Sequence, residues 1–307
     1  MSYYISILND PSRIDELIEL FAMGLGDTTV EHWKWRVFTP NGLKQPAAII
    51  AETESGQIIA MATLIFEEFG DREYRALQFC DWVVHPDYRG EGIIGRIYDF
   101  AYAKYKSEGF DFIIEYPNDN SYPIFMKYGF EEKPHIDCWN SRSKFVYTKK
   151  QPIDIKKSGI KYAFFDICPL KEVKTRRDRI FRPVPFLTWK YDENPDVNFQ
   201  WLVVESDEKV LGYFVFTTVH GRVRTAVNVY DWSFDATHKM AFSMAVKCLS
   251  RLGSFVSFWG RYHGSDEDLL RYAGLKRRET ETRLVLKRIS EKGYPEELTL
   301  TRIDTDY

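Results

Sequence analysis

Short alternating runs and helical stripes of apolar residues set out a first half ordered β-α-α-β-β-β-α-β-α-β-β. "YYISIL" alternates as a strand, and Asp10-Pro11 then supplies an N-cap and a first-turn proline for a helix to about Met23. "TTVE" (28–31) has the form of a capping box before a short Trp-bearing helix. "AAIIAE" and "IIAMATLIF", joined by Glu-Ser-Gly, read as a hairpin, and "LQFCDWVV" as a further strand. Ile94, Ile97, Tyr98, Ala101 and Tyr105 share one helical stripe that Gly109 closes. "FDFIIEYP" is a strand, and "NDNSYPIFMKYG" a short helix ended by Gly129. The expected fold class is α/β, with a mixed α+β sheet flanked by helices.

The pieces recur in the same order further on. "WKWRVFTPNGLKQPAAIIAETESGQIIAMATLIF" (33–66) is echoed by "LTWKYDENPDVNFQWLVVESDEKVLGYFVF" (187–216), each with a Trp-rich turn, a Pro-Asn or Asn-Pro element and two apolar strands. "CDWVV" (80–84) is echoed by "YDWSF" (230–234), and "FMKYGFEEK" (125–133) by "LLRYAGLKRRE" (269–279). "KFVYTKK" and "RLVLKRI" close the halves as strands. Two tandem lobes are expected, residues 1–150 and 151–307, with the boundary in the polar stretch 148–159.

One stretch breaks helical propensity. "HPDYRGEGIIGRIYDFA" (85–101) places Gly90, Gly92 and Gly95 at the start of a helix, although glycine is the poorest ordinary helix former. The first N–H groups of a helix lack internal partners and carry partial positive charge, so glycines there let an anion reach the backbone. A phosphate or pyrophosphate is the simplest ligand, with Arg89 as an added donor. No Gly-Lys-Ser/Thr follows, which excludes a Walker A loop. "GEGIIG" (90–95) fits G-x-G-x-x-G literally, but it follows a fourth, antiparallel-type strand. Glu115 lies near the distance of a ribose-binding acid, so a dinucleotide stays open.

The stretch resembles the acyl-CoA-binding motif of the GCN5-related N-acetyltransferase (GNAT) superfamily, Q/R-x-x-G-x-G/A after a strand ending in Val-His-Pro; here it reads "VVHPDYRGEGII". "NDNSYPIFMKYGF" (118–130) resembles that superfamily's N-x-x-A/S-x-x-L-Y-x-x-x-G-F. The motifs cover about residues 1–150; the rest is a fold-level echo with no glycine loop, since "SFDATHKMAFSMAVKCLSRLG" has no glycine before Gly253, though Met240, Met244, Val246 and Leu249 keep an apolar face. The resemblance implies acetyl-CoA as co-substrate, held by Val83, Val84, Arg89, Gly90, Glu91, Gly92, Ile93, Ile94, Gly95, Asn118 and Phe125, with no metal, one such site per chain, and the second lobe helping to shape the acceptor cleft. It also implies attack of an amine on the thioester, polarised by a backbone N–H within 82–84. Two positions depart from the pattern. Ile94 stands where Gly or Ala is usual, and Phe125 where many members carry the tyrosine that protonates the leaving thiolate; Tyr116, Tyr122, Tyr128 or solvent would substitute.

Such a reaction needs a base. Asp81 is the first candidate and Glu115 the second, with Tyr122 as the acid; Asp81 equally fits a structural role, because Asp231 echoes it. His85 reads as a turn residue before proline, Asn118 as a cap as much as a pantetheine contact, and Trp33, Trp35 and Trp189 as core or cleft-lining aromatics. "KTRRDRIFR" (174–182) reads as a solvated helix face, or as a site for an anionic acceptor.

Composition narrows the classes. The 307 residues carry net charge −3, which gives no basic face for nucleic acid. The four cysteines are scattered, so neither a disulfide framework nor a zinc site is expected. The start lacks the pattern of a signal peptide and no stretch reads as a membrane span, which places the chain in the cytoplasm. Three readings follow: an N-acetyltransferase acting on a small-molecule amine such as an amino sugar, a Fem-like aminoacyl transferase, or a non-catalytic acyl-CoA- or partner-binding module. The Fem-like reading needs a basic face for charged tRNA, and the intact "RGEG" and acidic balance oppose it. Acceptor identity and oligomeric state are not written in the sequence.

Overall fold

The computed structural model describes residues 2–70, 72–142, 159–173, 179–207 and 209–302. Chain order is β1 (Tyr3–Leu8), α1 (Ile14–Ala22), α2 (Val30–Trp33), β2 (Ala47–Thr53), β3 (Ile58–Phe69), β4 (Tyr74–Val84), α3 (Ile93–Ser107), β5 (Phe112–Glu115), α4 (Tyr122–Lys127), β6 (Glu131–Lys133) and β7 (Asp137–Arg142). It continues with β8 (Ile160–Phe165), α5 (Val184–Leu187), β9 (Gln200–Ser206), β10 (Lys209–His220), β11 (Thr225–Phe234), α6 (Lys239–Leu249), β12 (Phe255–Arg261), α7 (Gly264–Tyr272), β13 (Lys276–Glu279), β14 (Leu284–Arg288) and β15 (Leu300–Thr301). The protein is α+β, with two mixed sheets.

The two sheets repeat one plan. The first runs β1-β2-β3-β4-β5-β14-β6 and the second, read from its other end, β8-β9-β10-β11-β12-β7-β13. Within each, β4–β5 and β11–β12 are parallel neighbours, while the paired strands beside them are antiparallel. The sixth strand of each sheet comes from the opposite end of the repeat. β14, from "RLVLKRI", pairs with β5, whereas β7, from the first half, pairs with β12. The compact units are therefore residues 1–132, 172–197 and 285–295, and residues 133–171, 198–284 and 296–307, not two blocks cut near residue 150. The strand read in "KFVYTKK" (144–150) lies outside the described residues.

Local chemistry explains the elements. Asp10 accepts from Ser12 N–H, a 3-10 turn over Pro11–Arg13 follows, and α1 buries Ile14, Leu17 and Leu20. Thr29, one residue later than the expected cap, accepts from His32 N–H to start α2. α3 buries Ile93, Ile97, Tyr98, Ala101 and Tyr105, so Ile93 rather than Ile94 completes the stripe. In α6, Met240 is 72% exposed, and Ala241, Phe242 and Ala245 take the buried face expected of it.

The Trp-rich repeats both become π-helical turns, Lys34–Phe38 and Thr188–Asp192. Both lie in the first unit, and their tryptophans form a reciprocal pair. Trp35 Nε1 donates to the Trp189 carbonyl (2.6 Å) and Trp189 Nε1 to the Trp35 carbonyl (3.0 Å), with the rings stacked at 5.0 Å. These indoles are core. The run expected as a solvated helix face is neither helical nor solvated where it is described: Ile180 bridges Phe69, and Arg179, Ile180 and Arg182 are buried. Residues 174–178 of that run lie outside the described residues.

A fragment ending at residue 150 would lose β14 and leave the buried strand β5 with an open edge. Circular dichroism and size-exclusion chromatography should find it unfolded or aggregated. A cooperatively melting monomer would contradict the strand exchange.

Candidate active site

β4 is bulged and then parts from β5. Thr63 faces Cys80 and Met61 faces Val83, so Asp81 and Trp82 together oppose Ala62. Asp81 sits at φ 51°, a left-handed conformation that costs a non-glycine residue about 1–2 kcal/mol. Its carboxylate is clamped by Thr63 Oγ1 (2.5 Å) and by Arg36 Nη2 (3.1 Å), the latter on the first π-helical turn. The parallel ladder to β5 lasts only from Ala76↔Phe112 to Leu77↔Ile113. His85 N–H donates to the Ile59 carbonyl, so by strand alternation the N–H groups of Val84 and Trp82 point away from β3, into the split.

The split leads to the glycine turn. Pro86–Tyr88 forms a 3-10 turn, Gly90 and Gly92 follow at φ 85° and 71°, and α3 starts at Ile93. A Cβ at either glycine would meet nothing within 4 Å, so space lies open in front of both. No side chain caps α3, and the first helical bond is Arg96 N–H to the Gly92 carbonyl. The N–H groups of Ile93, Ile94 and Gly95 thus lack helical acceptors. Gly95 has a different purpose: its missing Cβ makes room for the Tyr128 hydroxyl. Arg89 closes the turn, donating from Nε to the Val84 carbonyl (3.2 Å) and from Nη2 to the Met23 carbonyl (3.4 Å). Glu91 is exposed, Ile94 half-buried, and Val83 packs in the core under β4.

The acid–base candidates fare differently. Asp81, held by Arg36 and Thr63, stabilises the bulge and is poorly placed to take a proton. Glu115 is buried at the end of β5, where its Oε1 accepts Phe79 N–H (2.7 Å), the donor that a longer β4–β5 ladder would have used. Burial, with Glu67 adding to it against the Phe79 bond, pushes its pKa well above the usual carboxylate range. Enclosed in the sheet and bonded to Phe79 N–H, it has no opening to an incoming amine. Tyr122 donates to Glu132 Oε2 (2.9 Å). Phe125 is core, edge-on to Trp82 (5.5 Å) and Phe130 (4.9 Å). Asn118 Oδ1 accepts from the N–H groups of Asn120 and Ser121 (3.0 Å each) and caps the turn into α4. The clamp residue Arg36 escaped the sequence reading; its signal was the cation that follows Trp in both repeats, Arg36 after Trp35 and Lys190 after Trp189.

The second sheet lacks the opening. β11–β12 pairs over four registers, Ala226↔Phe255 to Val229↔Phe258, and beyond them β15 pairs with β12 at Gly260 and Arg261. Any Cβ at Gly260 would strike the Leu300 carbonyl, so glycine there admits the chain's own strand.

Backbone donors along a split parallel pair lead to an uncapped helix with open space before it. Residues 8–132 match the family model described as "Acetyltransferase (GNAT) domain", so this part of the chain carries a GNAT acetyltransferase domain. The family uses acetyl-CoA. The fold of the chain is that of tandem GNAT proteins. A probable N-acyltransferase of Enterococcus faecalis is similar at TM-score 0.68 and 13% identity, over 94% of this chain and 73% of that one. A tandem GNAT protein from the clavulanic acid biosynthesis pathway is similar at TM-score 0.54 and 10% identity, over 94% and 99%. A fungal glucosamine N-acetyltransferase region, part of a multi-domain β-N-acetylglucosaminidase, is similar at TM-score 0.56 and 13% identity, over 93% and 38%. No curated protein matches the chain. Among the described residues no helix is long and apolar enough to cross a membrane.

The Glu115 environment makes stability depend on pH. The folded chain keeps a proton there that the unfolded chain releases, so stability falls as pH rises from the unfolded value near 4.3 towards the folded one, by about 1.4 kcal/mol per pH unit. Glu115→Gln keeps an oxygen for Phe79 and does not titrate. It should melt with the wild type near pH 4 and above it near pH 8. Equal melting temperatures at both pH values would contradict a buried neutral carboxyl.

Proposed function

We propose that the chain moves an acetyl group from acetyl-CoA to the amine of a small molecule, with its single acyl-CoA site in the first sheet. The observation that carries this is the continuity of the β4–β5 split with the uncapped start of α3. The pyrophosphate would sit on the N–H groups of Ile93, Ile94 and Gly95, in the space before Gly90 and Gly92. The amide-bearing pantetheine arm would lie along β4 as a strand does, and the Trp82 or Val84 N–H would face the thioester oxygen. Arg36, Thr63 and Asp81 would hold that donor in place before the reaction.

The amine nitrogen then attacks the carbonyl carbon. A C–N bond forms, the oxyanion rests on the backbone donor, and the C–S bond breaks with its electron pair leaving on the CoA thiolate. The ammonium proton passes to a base. Phe125 has no proton to give the thiolate, so solvent supplies it. Glucosamine heads the list of acceptors to try, because one protein of similar fold carries that activity in its description. The non-catalytic reading draws its support from Phe125 and predicts acetyl-CoA binding without CoA release.

Calorimetry with acetyl-CoA tests the site. Asp and Asn both tolerate the left-handed backbone of Gly92 and differ in charge. The wild type should bind in the micromolar range, about −8 kcal/mol. Gly92→Asp should bind at least about tenfold more weakly than Gly92→Asn, a gap of about 1.4 kcal/mol. Equal binding by all three, or none by the folded wild type, would contradict the placement.

A further inference from the structure

The proposed reaction needs a base, and none of the carboxylates read from the sequence is suited to it. Another group in the same unit is. His32, on α2, bonds through Nδ1 to Asp196 Oδ2 at 2.6 Å. Its ring is fixed edge-on by Trp33 (5.9 Å) and Trp35 (5.7 Å). Asp196 belongs to the Asn-Pro-Asp element of the second Trp-rich repeat and is itself held in place. Asn194 Oδ1 accepts the N–H groups of Asp196 (2.9 Å) and Val197 (3.0 Å), and Asn194 Nδ2 donates to the Lys190 carbonyl (3.4 Å). A carboxylate only accepts, so the Nδ1 atom bonded to it carries the ring proton, and Nε2 is left with a lone pair. A base oriented by a third group that fixes its tautomer is the arrangement by which imidazoles serve in acyl transfer.

The segment that carries His32 is anchored at both ends on the bulged end of β4. On one side Gly24 lies against Val83, where an added Cβ would come within 3.0 Å of Cγ1, and Arg89 bonds the Met23 carbonyl. On the other, Arg36 reaches Asp81. His32 lies between these anchors, one helical turn before Arg36. We propose that His32, oriented by Asp196, is the base that takes the proton from the acceptor ammonium, an assignment that rests on the transferase reading above. Nε2 gains the proton as the C–N bond forms; the imidazolium returns it to solvent after the thiolate has left. Among the described residues, Asp196 is bonded to the ring, Glu31, Lys34 and Arg36 stand on the same helical run, with Arg36 turned to Asp81, and Lys190 lies 5.7 Å from the centre of the neighbouring Trp35 ring.

The experiment measures kcat/KM against pH with acetyl-CoA and an amine panel of glucosamine, spermidine and lysine, for the wild type, His32→Gln, Asp196→Asn and Asp196→Glu. Calorimetry with acetyl-CoA runs beside it. His32→Gln should lose about 100-fold near pH 7, with acetyl-CoA affinity unchanged. The deficit should shrink as pH rises and hydroxide takes the ammonium proton in place of the imidazole. Asp196→Asn can donate to Nδ1, which moves the ring proton to Nε2 and removes the lone pair, so it should be as impaired; Asp196→Glu should recover part of the rate. Asp196 is exposed, so its variants report even where His32→Gln fails to fold. A deficit that is constant across pH in either variant, or no deficit, overturns the assignment and leaves the transferase reading standing. A wild type that binds acetyl-CoA and acylates none of the panel overturns both.

Discussion

Two parallel strands that pair for two registers and then separate leave backbone donors that must find partners outside the sheet. β4 and β5 do this after Leu77↔Ile113, and most of the first unit's unusual features answer to it. One orphan, Phe79 N–H, is met internally by the Glu115 carboxyl, whose pKa burial raises. Those at the start of α3 lie beside space kept clear by two left-handed glycines, and those at the end of β4 point away from β3. An amide-rich chain that ends in a pyrophosphate meets both needs at once.

The second sheet shows the same constraint solved without a ligand. It has the same strand order and the same exchanged sixth strand, but its parallel pair holds for longer and the remaining gap takes β15. Gly260 there and Gly90 and Gly92 in the first unit all avoid a side chain, for opposite reasons: one admits a carbonyl of the same chain, the others open space. The bulge differs as well. Asp231, the counterpart of Asp81, bonds the N–H of Trp232 (2.7 Å) and is not in the left-handed region. Asp81 is, and a buried arginine and a threonine hold it there. That expense in strain and desolvation falls on the sheet whose strand end faces the open split.

Much of the first unit was legible because local signals agreed with one another. The 3.6-residue stripe of α3, the hairpin of β2 and β3, the Asp10 cap and the ordered echoes at Trp35/Trp189 and Asp81/Asp231 each carry a period or a spacing. The reciprocal exchange of β7 and β14 carries none, since a strand's sequence does not name its neighbour, and this is why a cut near residue 150 looked natural. Why residue 95 must be glycine was hidden as well, because sequence cannot show the Tyr128 hydroxyl that occupies the place of its Cβ. Asp81 and Glu115 read as bases because residue type is visible and environment is not: Arg36 lies 45 positions from one, and the burial of the other depends on the whole sheet. The His32–Asp196 pair spans 164 positions and has no motif.

The claim at the centre of this account is that the first sheet's split takes the acyl-CoA and the second sheet's does not. Hydrogen–deuterium exchange with and without acetyl-CoA tests it at peptide resolution. Protection should appear across 82–84 and 90–96 and be absent from 226–240 and 256–261. Protection in the second set, or none in the first at saturating acetyl-CoA, would contradict it.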